Sequence, residues 1–359
     1  MWLRGTWAWG GARERGRVND ASTDIAASPI ALIPNTELTH TSRAVRSGEL
    51  VRVFRGVYAL AVEWSRLAPW DRYLTRVHAA ALRHPDAVFC LESATALHGQ
   101  PVFGDPGTVH VLQTGSSTSR TSGGVLVHTT AEYRPVEARG GVLLTTVADT
   151  AVDLARSRHN AVALAVADAT LRNHPSLSVE SLAARNESRA SSRGRSRARW
   201  VLDRASPSPE SALESVDRAV IEWLGFPAPD LQVWLRGRPG RDDRVDKWWP
   251  EHCIAGEGDG DLKYDGRFGE AADVMRERHI RDARLFDRGA RAVVHWGWAE
   301  AVAARPLRAM LLSAGLPLLR PEDTAQLHSL RRALSSSVRQ RDFIPAARLQ
   351  RYAAVSPPG

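Results

Sequence analysis

Residues 244–264 read RVDKWWPEHCIAGEGDGDLKY, and the spacing of their carboxylates decides how the carboxy-terminal third of the chain is read. RVDKWW reads as a strand, Pro250-Glu251 as a turn, and HCIAGEGDG as the returning strand. Asp246 lies on the first strand and Glu257 on the second, so a hairpin brings two carboxylates together at one end. Asp259 stands two residues past Glu257 and shares its face in an extended chain. Lys263 follows four residues later.

Outward from this hairpin the pattern is regular. Ser206-Pro207-Ser208-Pro209 marks a boundary, with Ser208 as a helix cap and Pro209 at the first helical position. Glu210 to Leu224 reads as a helix ended by Gly225-Phe226-Pro227, and Leu231 to Leu235 as a strand. Downstream come a helix from Glu270 to Asp287, a strand ARAVVHW, and a helix from Ala299 to Ala314 closed by Gly315. The expected order is α-β-β-β-α-β-α.

Glu214, on the first of these helices, can pack against the carboxylate edge. Clustered carboxylates raise one another's pKa unless a cation is present. Mg2+ or Mn2+ suits hard oxygen ligands, acidifies a bound water and stabilises charge on a phosphate. The candidate catalytic set is therefore Glu214, Asp246, Glu257, Asp259 and Lys263, with Asp246, Glu257 and Glu214 as metal ligands and Lys263 orienting water or phosphate. Each residue also has a plainer reading. Glu214 can pair with Arg218 at i+4, Asp259-Gly260 is a turn signal, His295 reads as strand packing, and Arg276 and Arg281 as a solvated helix face.

Toward the amino terminus, TELTHTSRAVRSGE (36–49) reads as a helix. Leu50 to Phe54 and Val57 to Leu60 are strands joined at Arg55-Gly56. A helix followed by a hairpin is the second half of a winged helix. Arg43 and Arg46 then lie near the exposed helix face and Arg52 and Arg55 on the wing, all four as candidate DNA contacts. The middle region reads as helices around Asp71 to Arg83, LESATALHG, TTVADTAVDLAR (Thr146 as cap) and AVALAVADATLR, with strands GTVHVLQ and GGVLVHT. His98, before a capping glycine, reads as structural. Seven arginines crowd residues 183–204 against Glu187 and Asp203, either as a solvated helix and linker between domains or as a phosphate-contacting strip.

The 359 residues suggest two or three domains. Net charge is +8, and Lys247 and Lys263 are the only lysines among 48 basic residues. Guanidinium forks match phosphate, although a GC-rich genome also writes Arg for Lys. Two distant cysteines exclude a disulfide framework and fit a reducing cytoplasm. No apolar run reaches the ~20 residues of a membrane span. The amino-terminal residues lack the apolar core of a signal peptide and read as a disordered tail.

PESALESVDRAVIEWLGFPAPDLQ (209–232), RVDKWWP (244–250), EGDGDLKY (257–264) and RERHIRDARLFDRGARAVVHWGW (276–298) together resemble the endonuclease-like domain of actinobacterial AbiEi-type antitoxin proteins. That domain is related to very-short-patch-repair endonucleases and the PD-(D/E)XK superfamily. RSGELVRVFRGVYAL (46–60) resembles the end of the AbiEi-type winged helix, and LESATALHG (91–99) the signature of the segment after it. The resemblance implies that Glu214, Asp246, Glu257, Asp259 and Lys263 occupy the family's site. There are departures. Lys247 and Gly258 replace apolar residues, Asp259 stands where the superfamily usually has Lys, and no first winged-helix helices precede Thr36.

The expected fold is therefore α+β multidomain. It comprises a disordered tail (1–30), a winged-helix remnant (31–65), an AbiEi-like α+β middle segment (66–182), an Arg-rich linker or helix (183–206), a restriction-endonuclease-like α/β domain (207–318) and a carboxy-terminal helix or tail (319–359). Two functions follow: a Mg2+- or Mn2+-dependent DNA endonuclease, or a non-catalytic type IV antitoxin and repressor that keeps the nuclease fold for binding. DNA is the expected partner of both, and a nucleotidyltransferase-like toxin of the second. A soluble interaction protein with neither activity is a third reading.

Overall fold

Thr36 to Glu49, expected as one helix, instead divides into a 3-10 turn at Asn35–Glu37 and helix α1 (Thr41–Ser47). A computed structural model provides the structure and describes residues 25–38, 41–115, 119–237, 242–259 and 271–338. A short strand β1 (Ile33–Pro34) precedes the turn, and the hairpin β2 (Leu50–Phe54) and β3 (Val57–Leu60) follows. The three strands form an antiparallel sheet in the order β1-β3-β2, with an irregularity between Arg52 and Phe54. Gly56 turns the hairpin with φ +74°, a conformation glycine adopts without penalty.

Helices α2 (Ala61–Arg66) and α3 (Pro69–Arg83) come next. Tyr73, Val77 and Ala80 recur on one face of α3 and are buried, as helical periodicity dictates. They share one core with Val53, Phe54, Val57 and Ala59 of the hairpin and with the central sheet. The hairpin is thus built into the next unit rather than tethered to it.

The central unit contains β4 (Val88–Phe89), α4 (Leu91–Leu97), β5 (Val109–Thr114), β6 (Arg120–Ser122), β7 (Val125–Thr130), β8 (Val136–Arg139), β9 (Val142–Thr145), α5 (Val147–Ser157) and α6 (Asn160–Asn173). Its sheet runs β6-β7-β5-β4-β9-β8. Thr146 caps α5 as its sequence suggests, accepting the amide of Asp149 at 3.1 Å.

The Arg-rich stretch 183–206 is folded onto this unit. Helices α7 (Val179–Ser188) and α8 (Arg195–Leu202) contribute Leu182 and Leu202 to a core with Val152 of α5. Arg185 pairs with the fully buried Asp149 at 2.9 Å, and Arg189 also pairs with it. Arg199 pairs with Glu187 at 2.6 Å, and Arg204 bonds Glu222 at 2.7 Å. The stretch is largely helical, as one of its two readings has it, and its acid-paired arginines do not form a continuous phosphate strip.

The last unit comprises α9 (Ala212–Trp223), β10 (Asp230–Leu235), β11 (Asp243–Trp249), β12 (Ile254–Gly258), α10 (Ala271–Asp287), β13 (Ala292–Trp296), α11 (Trp298–Ala303), α12 (Arg305–Ser313) and α13 (Thr324–Val338). The helix after the Ser-Pro boundary is capped by Ser211, not Ser208, and Glu214 donates its amide to the Ser211 hydroxyl at 3.1 Å. The sheet order is β10-β11-β12-β13, with the first three strands antiparallel and β13 parallel to β12. The α-β-β-β-α-β-α order read from the sequence is present. Val216, Val220 and Trp223 of α9 pack between α6 and a layer that includes Leu307, Leu311 and Leu330. Helix α13 belongs to this core. No helix among the described residues is long and apolar enough to cross a membrane.

Gly194 starts α8 with φ +75°, and a Cβ there would lie 2.0 Å from the carbonyl oxygen of Arg156. Gly48 has φ +81° with nothing within 4 Å of an added Cβ. Gly48→Ala is expected to cost about 1 kcal/mol, the left-handed penalty alone. Gly194→Ala is expected to cost about 2 kcal/mol or more, because backbone must move as well. Urea unfolding midpoints compare the two, and equal losses contradict the packing assigned to α8.

Candidate functional site

Three elements bring the acidic side chains of the last unit together. Glu214 sits in the first turn of α9, where the helix end favours negative charge. Asp246 lies on β11, and Glu257 on β12. Gly258 marks their meeting point. Its amide donates to Asp246 Oδ2 at 3.0 Å. A Cβ there would approach Asp217 Oδ2 at 3.3 Å, Glu214 Cγ at 3.7 Å and Asp246 Oδ2 at 3.8 Å. Glycine therefore stands here because the carboxylates occupy the space a larger side chain needs.

Gln232 of β10 ties two of the acids. Its side-chain nitrogen donates to Glu214 Oε2 at 2.8 Å and to Asp246 Oδ1 at 3.1 Å. Its φ of +53° is rare for a non-glycine residue, and such strain persists where surroundings enforce it. The Glu210 amide donates to the same Glu214 oxygen at 2.9 Å. Glu257 is nearly buried and accepts from Arg281 of α10 at 2.8 Å. Asp259 pairs with Arg278 and bonds His295 Nδ1 at 2.9 Å, while His295 Nε2 meets Asp282 at 2.9 Å.

The charges follow this geometry. Burial, then the neighbouring Asp246 carboxylate, push Glu257 up to about 7 against the pull of Arg281. Burial draws His295 down, but its bonds to Asp259 and Asp282 outweigh that and leave it above its ordinary value. Asp217, one turn past Glu214, is fully buried and pushed up to about 6 by desolvation. Lys247 opposes this from 2.9 Å, itself fully buried, with its ammonium 5.4 Å from the Trp296 ring centre. Lys247 is thus the partner of a buried acid.

Of the predicted residues, Glu214 and Asp246 share the Gln232 donor, Glu257 lies close enough to Asp246 to feel its charge, and Asp259 lies in a separate network with His295. Lys263 lies outside the described residues. Several plainer readings are corrected. Arg218 turns from Glu214 to Asp168 at 2.8 Å. Arg281 leaves the solvated face to pair with Glu257, and His295 bridges two carboxylates rather than merely packing. Gln232, Asp217, Arg278 and Asp282 were not singled out in the sequence. Spacing gives partial signals: Glu214 and Asp217, and Arg278 and Arg281, are each three apart on a helix and so share a face.

A divalent cation does not fit this donor set as arranged. Protein donors engage each of the four carboxylates, and two of them face guanidinium groups that repel a cation. Among the described residues no group of three or more His, Cys, Asp and Glu side chains is disposed to hold a metal ion.

A second candidate surface lies at the other end of the chain. Arg43 and Arg46 on α1, Arg52 on β2 and Arg55 in the turn are all exposed. Arg46 donates to the Ser42 carbonyl at 3.2 Å, and none of the four forms an ion pair with a described residue.

Two outcomes are expected. Lys247→Met leaves Asp217 buried beside no cation, which costs about 3–5 kcal/mol. Adding Asp217→Asn is expected to recover part of that loss in a double-mutant cycle followed by urea unfolding. Second, an acid whose folded pKa is raised binds its proton more tightly folded than unfolded. Its contribution is full below pH about 4.5 and is lost as pH rises through about 7. The wild type is expected to lose stability relative to Glu257→Gln across that window, and parallel pH profiles for the two contradict the assignment.

Residues 87–204 match the AbiEi antitoxin C-terminal domain family. Two Mycobacterium tuberculosis proteins, described as uncharacterized protein MT2308 (strain CDC 1551 / Oshkosh) and uncharacterized protein Rv2248 (strain ATCC 25618 / H37Rv), are each 37% identical to this chain over 217 residues. The aligned region covers 59% of this chain and 74% of each relative. No solved structure matches. The chain belongs to the family of these two mycobacterial proteins, and its central unit is similar to the AbiEi antitoxin C-terminal domain.

Proposed function

We propose that the chain is an AbiEi-type antitoxin-like regulator that binds DNA, with its last unit serving as a binding module and not as a nuclease. The similarity of residues 87–204 to the AbiEi antitoxin C-terminal domain carries this reading. The four exposed arginines support it. On the winged-helix reading α1 enters the major groove, where Arg43 and Arg46 reach base edges or phosphates, and Arg52 and Arg55 of the wing grip the backbone. A regulator of this kind represses its own operon and has a nucleotidyltransferase-like toxin as its partner.

A second reading keeps the nuclease. The pairing of Glu214 with Asp246 through Gln232, and of Asp246 with Glu257 by charge, on an α-β-β-β-α-β framework favours it. In that case Glu214, Asp246 and Glu257 would be the residues to hold Mg2+ or Mn2+, which would supply an acidified water and charge stabilisation on a phosphate, and Lys263 would orient that water.

One experiment separates the two. The purified chain and its Asp246→Ala variant are incubated in Mg2+ or Mn2+ with supercoiled, linear and mismatched DNA, and gel shifts use the promoter of its own gene. The regulator gives a salt-dependent shift without cleavage above the variant's background. Replacing Arg43 and Arg46 by Ala weakens binding and lowers the slope of log K against log salt by about 1 per lost phosphate contact. Cleavage abolished in Asp246→Ala establishes the nuclease instead, and the absence of any DNA complex rejects both.

A further inference from the structure

The turn of the first hairpin and the end of α3 meet at one opening. Arg55 of the turn and Arg83 of α3 both line the cleft between the hairpin and the central sheet. Arg83 lies across the turn itself, with its Nε 3.7 Å and its Cζ 3.9 Å from where a Gly56 Cβ would stand. It is thereby brought beside the residue that follows Arg55. Both arginines are exposed, and neither forms an ion pair with a described residue.

The placement is rigid. Val77 and Ala80 of α3 share one buried core with Phe54, Val57 and Ala59 of the hairpin, so the end of α3 is fixed relative to the turn. The charge is also uncompensated. Asp86 is the one carboxylate in the lining, and it pairs with neither arginine. Burial, then the positive charge of Arg83, hold His84 below its ordinary value, so the ring adds no charge of its own at neutral pH. Phe54, Phe89 and Val111 stand behind the opening. Cations backed by an apolar wall are screened less than cations surrounded by water.

These features select a partner. A guanidinium fork binds phosphate oxygens with two parallel hydrogen bonds. Two forks held at a fixed spacing match a ligand whose phosphates repeat at a fixed spacing, and a nucleic-acid backbone is such a ligand. We propose that the DNA contact surface extends past residues 31–65 onto α3, with Arg83 gripping the backbone phosphate next to the one held by Arg55. This rests on the DNA-binding reading above and adds to it a contact from outside the helix and hairpin. Asp86, at the same opening, repels the phosphate and limits the affinity.

Fluorescence anisotropy of the full chain with the promoter of its own gene, across a salt series, tests this. Arg83→Ala is expected to weaken binding about tenfold and to lower the slope of log K against log salt by about 1. Its Tm and far-UV spectrum are expected to stay as in the wild type, because the side chain is exposed. Arg83→Lys keeps the charge without the fork, so the slope is expected to return and the affinity to recover in part. Asp86→Asn is expected to tighten binding. Replacing Arg43 and Arg46 by Ala separates this inference from the reading beneath it. If that change weakens binding while Arg83→Ala keeps the wild-type affinity and slope, the contact at α3 is overturned and DNA binding stands. A loss of affinity in Arg83→Ala with an unchanged slope overturns the contact as well. No complex with the wild type overturns both.

Discussion

The last unit is organised around one buried ion pair, Asp217 with Lys247. Neither group reaches solvent, so each is tolerable only because the other is there. The pair fastens α9 to β11 at 2.9 Å, and Trp296 of β13 donates to the second oxygen of Asp217 at 2.8 Å. One carboxylate thereby holds a helix and two strands. The strand between them, β12, has to pass under these groups, and its glycines follow from that. A Cβ on Gly256 would lie 2.6 Å from the Trp296 ring and 3.0 Å from Trp249. Gly258 clears Glu214 and Asp246. The sequence Gly-Glu-Gly on β12 is what remains when a strand crosses beneath two tryptophans and three acids.

Arginine in this chain has two uses that composition alone cannot separate. Many guanidinium groups are internal counter-charges. Arg185 and Arg189 neutralise Asp149, Arg218 neutralises Asp168, and Arg158 pairs with Glu92 at 2.7 Å. Asp168 is still pushed up to about 6, because burial outweighs the help of Arg218. Such groups contribute to the excess positive charge but have nothing left for a partner. Arginines with no described acid partner stand on α1 and the β2–β3 hairpin. Charge excess is therefore a weak sign of nucleic-acid binding in this protein, and the location of unpaired charge is a better one.

What was legible in the sequence was mainly periodic or punctuated. The hairpin at Arg55-Gly56, the Thr146 cap and the helix–strand order of the last unit follow from local rules. The central sheet was only partly legible. The strands Val88–Phe89 and Arg120–Ser122 are two and three residues long, too short to show alternation. The boundary helix was misplaced by a few residues because Ser208 and Ser211 both cap well and only tertiary packing decides between them. Asp246, Glu257 and Asp259 could be read together, since they lie near one another along the chain. Their partners could not. Gln232, Arg278 and Arg281 reach the cluster from separate elements, and Lys247 reads as a disruption until Asp217 is seen facing it.

The partners of the acids bear most directly on the choice between nuclease and regulator. A metal site needs carboxylate oxygens that point at a common empty volume. Here Gln232 spends its donors on Glu214 and Asp246, the Gly258 amide takes the second Asp246 oxygen, and α10 supplies a guanidinium to Glu257 and another to Asp259. For a cation to enter, Arg281 has to leave a nearly buried carboxylate whose pKa is already raised, and two like charges near one ion disfavour that exchange. The same arrangement has a structural use without any metal. It joins α10 to the end of β12, beside the ion pairs of Arg284 and Arg288 with Asp243 and the buried Leu285. The acidic cluster thus serves as a clamp between helix and sheet.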